Sequence, residues 1–196
     1  MTARRRAALA LLALSLPLGG TPAGAQVEAD PIVPTFQLDR KRDVRGPLDI
    51  VRVAMSTRID GTLRGEVTMR RAWETADVGP GGSVCLKLYV EAQPDAEPPE
   101  YLVCATPPAQ GDELVGRVLR NRLNGLPRTV AEARLERPTA RTLYLHFEPS
   151  AIRRPDTLEF AAESLWRGER CPRPVGCVDA GPDAPDTRSF RLRRNA

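Results

Sequence analysis

The sequence has few of the side chains that most enzymes use for chemistry at neutral pH. Among its 196 residues there are four cysteines and a single histidine, His146. One histidine leaves little room for a Ser-His-Asp triad and excludes any metal site that needs several histidines. We therefore expect no catalytic residue, no metal-ligand cluster and no cofactor in this chain.

Lysine is almost absent too: Lys41 and Lys87 stand against 27 arginines, and alanine and proline are abundant. This usage is typical of a high-GC bacterial genome. The formal net charge is +4, but residues 1–25 carry Arg4, Arg5 and Arg6 and no acid, so the rest of the chain has 26 basic and 25 acidic side chains. A nearly neutral chain lacks the basic excess of nucleic-acid-binding proteins, and we expect no nucleic-acid partner.

No apolar stretch is long enough to span a bilayer. The N-terminal run Ala7–Leu18 has about 12 residues, whereas a spanning helix needs about 20. This run follows the three arginines and precedes Ala23-Gly24-Ala25, which has small residues where a signal peptidase reads. We predict that residues 1–25 are a signal peptide cleaved before Gln26. The protein is then secreted, extracellular or in the cell envelope, without membrane insertion, and both Sec and twin-arginine export remain open.

The rest of the sequence contains short alternating apolar runs. From Leu48 onward they recur roughly every 10–15 residues, separated by Gly, Pro, Asp or Asn, a spacing typical of all-β domains. We predict one monomeric antiparallel β-sandwich, Ig-like or jelly-roll-like, with about eight or nine strands over residues 48–196. Residues 26–47 lack apolar periodicity and are predicted to be an extended lead-in segment. Segment 113–120 fits a helix or a strand, and Gly116 favours the strand.

Hairpin registers follow from the apolar positions. Around a three-residue loop, Ile59-Asp60-Gly61, strands 50–58 and 62–71 pair Val53 with Val67 and Val51 with Met69, and Gly61 takes the left-handed position. A two-residue loop would oppose apolar faces to polar ones. Later strands follow the same alternation: Ala131, Ala133 and Leu135 face Leu143, Leu145 and Phe147 across a turn near Pro138-Thr139-Ala140, and further strands cover 158–162 and 189–192.

The cysteines are predicted to be structural. Strands 83–92 and 99–106, joined by the turn Gln93-Pro94-Asp95-Ala96, pair Leu86 with Val103 and Leu88 with Tyr101. The same register places Cys85 opposite Cys104. In an exported protein four cysteines usually form two disulfides, so we predict Cys85–Cys104 and Cys171–Cys177. A four-cysteine zinc site lacks the close ligand pairs that such sites use.

Three weaker site candidates remain. His146 alternates with core positions and shares a face with Tyr144 and Glu148, so an ordinary outer-face residue is expected rather than a general base. A calcium ion between acidic loops would use Asp43, Asp49, Asp179 and Asp183, with Asp39 and Asp186 nearby, although solvated loop acids are the simpler interpretation. A sugar-stacking platform would draw on the few aromatic residues: Trp73, Trp166, Tyr89, Tyr101 and Tyr144.

Two segments resemble a known class of domain. Asp43-Val44-Arg45-Gly46-Pro47-Leu48-Asp49-Ile50, followed by an alternating strand, is similar to the opening of secreted bacterial β-sandwich modules. These include carbohydrate-binding-module-like and DOMON-type domains. The ending Cys171…Cys177-Val178-Asp179…Pro182-Asp183 resembles the tail of uncharacterised exported proteins of that kind. The resemblance covers about residues 39–192 and implies a sandwich fold; no ligand motif matches residue by residue, so sugar or haem binding does not carry over.

These observations predict an exported, non-catalytic, disulfide-stabilised binding or structural module, whose partner is a protein or a carbohydrate. The alternative is a small secreted carboxylate-dependent hydrolase of the glycosidase kind, which needs two acids about 5–10 Å apart in a cleft. A further alternative is a secreted protein inhibitor that presents the Cys171–Cys177 loop.

Overall fold

Antiparallel β-strands form almost all of the regular structure. The computed structural model describes residues 34–39, 46–90, 98–108, 110, 112–122, 124–167, 171, 176–182 and 186–192. A short helix α1 (Thr75–Val78) and a 3-10 turn at Pro149–Ile152 accompany the strands. The strands are β1 (Thr35–Leu38), β2 (Ile50–Thr57), β3 (Leu63–Met69), β4 (Ser83–Tyr89), β5 (Tyr101–Thr106), β6 (Val115–Arg120), β7 (Arg128–Thr139), β8 (Thr142–Phe147), β9 (Thr157–Trp166), β10 (Cys177–Gly181) and β11 (Arg188–Arg191).

The strands follow one continuous path rather than two separate sheets. Their order is β1-β2-β3-β8-β7-β6-β5-β4-β9-β10, and β11 also pairs with β9. Strand β7 makes the path continuous, because its first half pairs with β6 and its second half with β8. The all-β antiparallel prediction is confirmed. The predicted eight or nine strands are too few, and the sheet curls into a nearly closed barrel.

Side chains close the seam where the two ends of the sheet meet. Asp179 on β10 accepts a hydrogen bond from the backbone N–H of Ile50 through Oδ2, at 2.5 Å. Ser164 on β9 donates through Oγ to the backbone oxygen of Leu48, at 2.7 Å. Backbone groups at the start of β2 are therefore satisfied by side chains instead of a strand ladder, as burial requires.

The alternating apolar residues of the strands fill the interior. Gly65 on β3 lies so close to β4 that an added Cβ would stand 1.8 Å from Cδ1 of Leu86. This contact joins opposite sides of the barrel and leaves room for no larger residue. The largest fully buried side chains are Trp73, Trp166, Phe160, Leu48, Ile50, Met55, Leu63, Met69, Leu86, Leu88, Leu143 and Leu145.

The first predicted hairpin is confirmed with one correction. Val53 pairs with Val67. The loop closes by hydrogen bonds from the N–H of Arg58 to the oxygen of Thr62 and from the N–H of Gly61 to the oxygen of Arg58, with Gly61 at φ 83°. Met69 pairs with Ile50 instead of Val51, because the register shifts between Ile50 and Arg52. A bulge of this kind inserts one residue, and apolar alternation alone does not locate it.

The other registers agree with their predictions only in part. Leu86 pairs with Val103 and Leu88 with Tyr101, as predicted. The predicted facing of β7 and β8 is wrong in register, because Leu135 pairs with Leu145, and Ala131 and Ala133 pair with β6 instead of β8. The turn after β7 consists of Ala140 and Arg141, and a second register shift precedes it. Segment 113–120 contributes strand β6, and strand β1 lies within the segment that was predicted to be a lead-in. Turn residues 93–96 lie outside the described residues.

Both disulfides join the predicted cysteines. Cys85 and Cys104 are directly opposed on β4 and β5, with their Cα atoms 4.1 Å apart. Cys171 and Cys177 close a short loop before β10, with Cα atoms 5.6 Å apart. All four are largely buried, so their role is structural, as the sequence predicts.

Candidate functional site

The one histidine lies at the centre of a charged row on the outside of the barrel. Leu145 and Phe147 point into the core, so the alternation of β8 places His146 on the opposite face. His146 pairs with Arg64 on β3 and with Arg134 on β7. The neighbouring strands β3 and β7 therefore each place one guanidinium group beside the imidazole.

An acidic row runs beside this basic one. Tyr144, two residues before His146, pairs with Glu66 on β3 and with Glu136 on β7. Oε2 of Glu136 lies 3.6 Å from Nη1 of Arg134 and 3.2 Å from Nε2 of His146. Glu66 forms an ion pair with Arg52 on β2. Opposite charges thus alternate diagonally across the face, an arrangement that stabilises a sheet surface.

Aromatic rings fill the spaces between these charges. The guanidinium carbon of Arg64 lies 4.8 Å from the centre of the Tyr144 ring, and that ring meets His146 edge-on at 6.0 Å. On the neighbouring strand the Arg52 guanidinium lies 5.1 Å from the ring of Phe36. The Tyr144 ring thus lies beside His146, which is only 6% exposed although it lies on the outer face.

Burial keeps the imidazole neutral at neutral pH. Loss of water contact lowers the pKa of His146 below 6.5, and repulsion from Arg134 and Arg58 lowers it further, while Glu136 acts in the opposite direction. Neither ring nitrogen forms a well-aligned hydrogen bond within the described residues. The side chain is therefore a neutral donor and acceptor that faces a set of charged neighbours.

A groove opens beside this histidine at the end of the barrel. We call it the His146 groove, and its first cleft has a volume of about 560 Å³. The polar residues that line this first cleft are Arg58, Asp60, Thr62, Glu132, Arg134, His146 and Glu148. A second cleft of about 550 Å³ shares Asp60 and Glu148 and extends to Arg154, Asp156 and Leu192. The two clefts adjoin, so an extended ligand could occupy both.

The loop between β2 and β3 is ordered where it borders the groove. Oδ1 of Asp60 accepts hydrogen bonds from the backbone N–H of Thr62 at 2.9 Å and from its hydroxyl at 2.6 Å. These bonds stabilise the carboxylate and lower the pKa of Asp60 below 3.8. Asp60 therefore presents a fixed negative charge, not the proton of a general acid.

The aspartates proposed for calcium serve other purposes where they are described. Asp49 accepts a hydrogen bond from Nε of Arg70 at 2.8 Å, and Asp179 closes the seam. Asp39 ends β1 with its backbone N–H bonded to Val51. Within the described part of the chain no three His, Cys, Asp or Glu side chains are grouped as metal ligands. Asp43 and Asp183 lie outside the described residues.

The proposed sugar-stacking platform does not form as a set. Trp73, Trp166 and Tyr101 are buried at 1%, 1% and 3% exposure, so they belong to the core. Arg137 further covers Trp73, with its guanidinium carbon 4.1 Å from the ring. Tyr89 is half-buried, and burial raises its pKa. Tyr89 pairs with Glu159 on one side of the barrel, and Tyr144 lies beside His146 on another, so the two do not form one platform.

Sequence reasoning missed most of the groove. Arg58, Glu132 and Glu148 stand on three different segments, and only strand register brings them together. The one available signal was His146 itself, a lone histidine within a strand. Residues 172–175 of the Cys171–Cys177 loop, which carries the inhibitor alternative, lie outside the described residues.

Comparisons with known proteins add no name to this site. The chain matches no protein-family model, no curated protein and no solved structure. Among the residues described, no helix has the length and apolar character needed to cross a membrane.

Proposed function

We propose that this protein is an exported, non-catalytic, disulfide-stabilised module that binds a protein or carbohydrate ligand in the His146 groove. The observation that carries the proposal is the groove itself: two adjoining clefts of about 560 and 550 Å³ beside a filled core. The mouth of a β-barrel is a common location for ligand sites. The buried His146 lines the first cleft, and its Nδ1 has no hydrogen-bond partner among the described residues.

The charges of the groove favour a polar ligand over a polyanion. Two arginines, Arg58 and Arg134, face three acids, Asp60, Glu132 and Glu148. A nucleic acid or an acidic polymer would meet these carboxylates and be repelled. A hydroxyl-rich sugar or a peptide backbone with both charges fits this mixture better.

The same proposal includes export of the protein and a sandwich-like arrangement of its strands. The two disulfides are compatible with an oxidising compartment. The close approach of β3 to β4 across the core supports the resemblance to secreted sandwich modules, because two sheet layers that face each other make such a contact. Mass spectrometry of the exported protein tests the first part, with Gln26 expected as the N-terminus; an intact Met1 or Thr2 in that fraction contradicts it.

A binding screen with charge-reversal variants tests the groove. We expect a glycan array or a pull-down from the exported fraction to yield a ligand that Arg134→Glu and Glu132→Arg both weaken. Both residues are exposed, so the fold should tolerate the changes. Arg71→Glu is the matched control, an exposed residue beyond β3 and outside the groove lining. Equal effects of all three variants would refute this groove as the binding site.

The three carboxylates in one cleft favour a second candidate, a carboxylate-dependent hydrolase. Asp60, Glu132 and Glu148 all line the first cleft, and hydrolysis of a sugar linkage needs two such groups. A glycosidase and esterase screen decides between the two candidates. Turnover that disappears in Glu132→Gln or Glu148→Gln, with an unchanged melting temperature, would replace the binding proposal.

A further inference from the structure

Two like charges are paired directly across the end of the β6–β7 hairpin. Arg120, the last residue of β6, is the ladder partner of Arg128, the first residue of β7, and both side chains are exposed. Like charges in this position destabilise an antiparallel pair. A local arrangement that opposes stability is a reason to look for a functional use.

No acid of the described residues relieves this repulsion. Arg120, Arg122 and Arg128 form no ion pair with any described residue, and Arg122 is exposed beside the other two. By contrast, Arg52 pairs with Glu66 and Arg134 with Glu136. The hairpin end is therefore a concentrated positive site on a chain of nearly balanced charge.

Exposed apolar side chains lie in and next to the loop of the same hairpin. Leu126 is 86% exposed and Val130 is 43% exposed, and Leu126 has the highest exposure of the large apolar residues described. The start of the loop is anchored next to the first residue of β5, since Asn121 donates through its backbone N–H to the oxygen of Glu100 at 2.9 Å and through Nδ2 to the oxygen of Pro99 at 2.5 Å. Leu126 is thus exposed in a loop whose first residue is anchored.

We infer that this hairpin end, residues 120–122 and 124–130, binds the surface of a bilayer that contains anionic lipids. The arginines complement acidic headgroups, and Leu126 can enter the acyl boundary beneath them. A protein partner would need an acidic surface with a pocket for one protruding leucine, whereas a bilayer accepts a convex tip at any point. This is surface contact without insertion of a strand or helix, and it is independent of the His146 groove.

Vesicle co-sedimentation of the exported protein tests the electrostatic part. Phosphatidylcholine vesicles with phosphatidylglycerol should bind the protein, and vesicles of phosphatidylcholine alone should bind it much less. The double variant Arg120→Gln/Arg128→Gln should weaken binding about thirtyfold, since each arginine near such a surface contributes about fivefold. Its melting temperature should not fall, because a repulsion has been removed.

The matched control removes the same charge elsewhere. Arg188→Gln/Arg191→Gln changes two exposed arginines on β11, which lies four strands from β6 along the sheet. We expect it to retain most of the binding. Equal loss in both double variants would mean attraction by net charge only and would overturn the inference, as would failure of the parent protein to bind anionic vesicles.

A third variant separates a bilayer from an acidic polymer or protein. Leu126→Ser should weaken vesicle binding about tenfold, because it removes the apolar contact and leaves every charge in place. Its exposed position makes unfolding an unsuitable explanation for any loss. Unchanged vesicle binding by Leu126→Ser would overturn the bilayer as the partner.

Discussion

Arginine side chains in the two halves of strand β7 have opposite electrostatic surroundings. In the second half Arg134 lies 3.6 Å from Glu136 and flanks the buried His146. In the first half Arg128 faces Arg120 and has no acidic partner in the described structure. Both arginines are exposed, so exposure alone does not distinguish them. In the second half the compensating acid, Glu136, lies on β7 itself, whereas in the first half β6 places Arg120 opposite Arg128.

We expect the largest difference in the free energy of unfolding between substitutions of apolar residues near the two halves of β7. Leu145 is fully buried opposite Leu135, whereas Leu126 precedes the first half and is 86% exposed. Leu145→Ala should lower the free energy of unfolding by about 3–4 kcal/mol, and Leu126→Ala by less than about 0.5 kcal/mol. Urea denaturation of both variants measures this, and similar losses would contradict the assignment of Leu126 to a free tip.

Removing the β4–β5 disulfide should weaken the first half more than the second. Cys104 is the ladder partner of Arg117 on β6, which in turn supports the first half of β7. The variant Cys85→Ala/Cys104→Ala should lose about 3 kcal/mol, against about 2 kcal/mol for Cys171→Ala/Cys177→Ala with its shorter loop. Hydrogen exchange should rise in residues 128–133 before 134–139, and a uniform rise would contradict this dependence.

Acid should destabilise the protein by protonating His146, which pairs with the second half of β7. Since the pKa of His146 is lower in the folded protein than 6.5, the unfolded chain binds its proton first. The stability that the neutral imidazole contributes is fully present above pH 6.5. It is lost as the pH falls from 6.5 through the pKa of His146 in the folded protein. The variant His146→Gln should flatten the denaturation curve in that window, and an unchanged slope between parent and variant would contradict the assigned cause.

The smallest effect is expected from the like-charge pair. Arg128→Gln removes the repulsion with Arg120 and should raise the free energy of unfolding by about 0.5 kcal/mol. Arg134→Gln, its counterpart in the second half, removes an attraction to Glu136 and should not stabilise the protein. Thermal unfolding of the two variants compares them, and stabilisation by both would remove the distinction between the halves.

The sequence predicted what depends on neighbours along the chain. Alternation and turn residues were sufficient for the pairing of Val53 with Val67 and for the Cys85–Cys104 disulfide. The bulge at Ile50 escaped prediction because it breaks the alternation without a marker residue. Barrel closure escaped it as well, since Asp179 and Ile50 lie far apart in sequence and meet only in the folded chain.

The groove was less predictable for the same reason. His146 was correctly placed on the outer face, but its burial depends on side chains of neighbouring positions such as Tyr144, whose ring meets it edge-on. Arg58 and Glu132 join it only through the order β3-β8-β7, which hairpin rules do not supply.

A proton NMR titration of the single imidazole tests most directly whether the two halves of β7 differ. Only one histidine exists, so its ring resonances need no further assignment. We predict a midpoint below 6.5 that rises in Arg134→Gln, falls in Glu136→Gln and stays unchanged in Arg128→Gln. A midpoint at or above 6.5, or an equal response to Arg128→Gln and Arg134→Gln, would contradict the account.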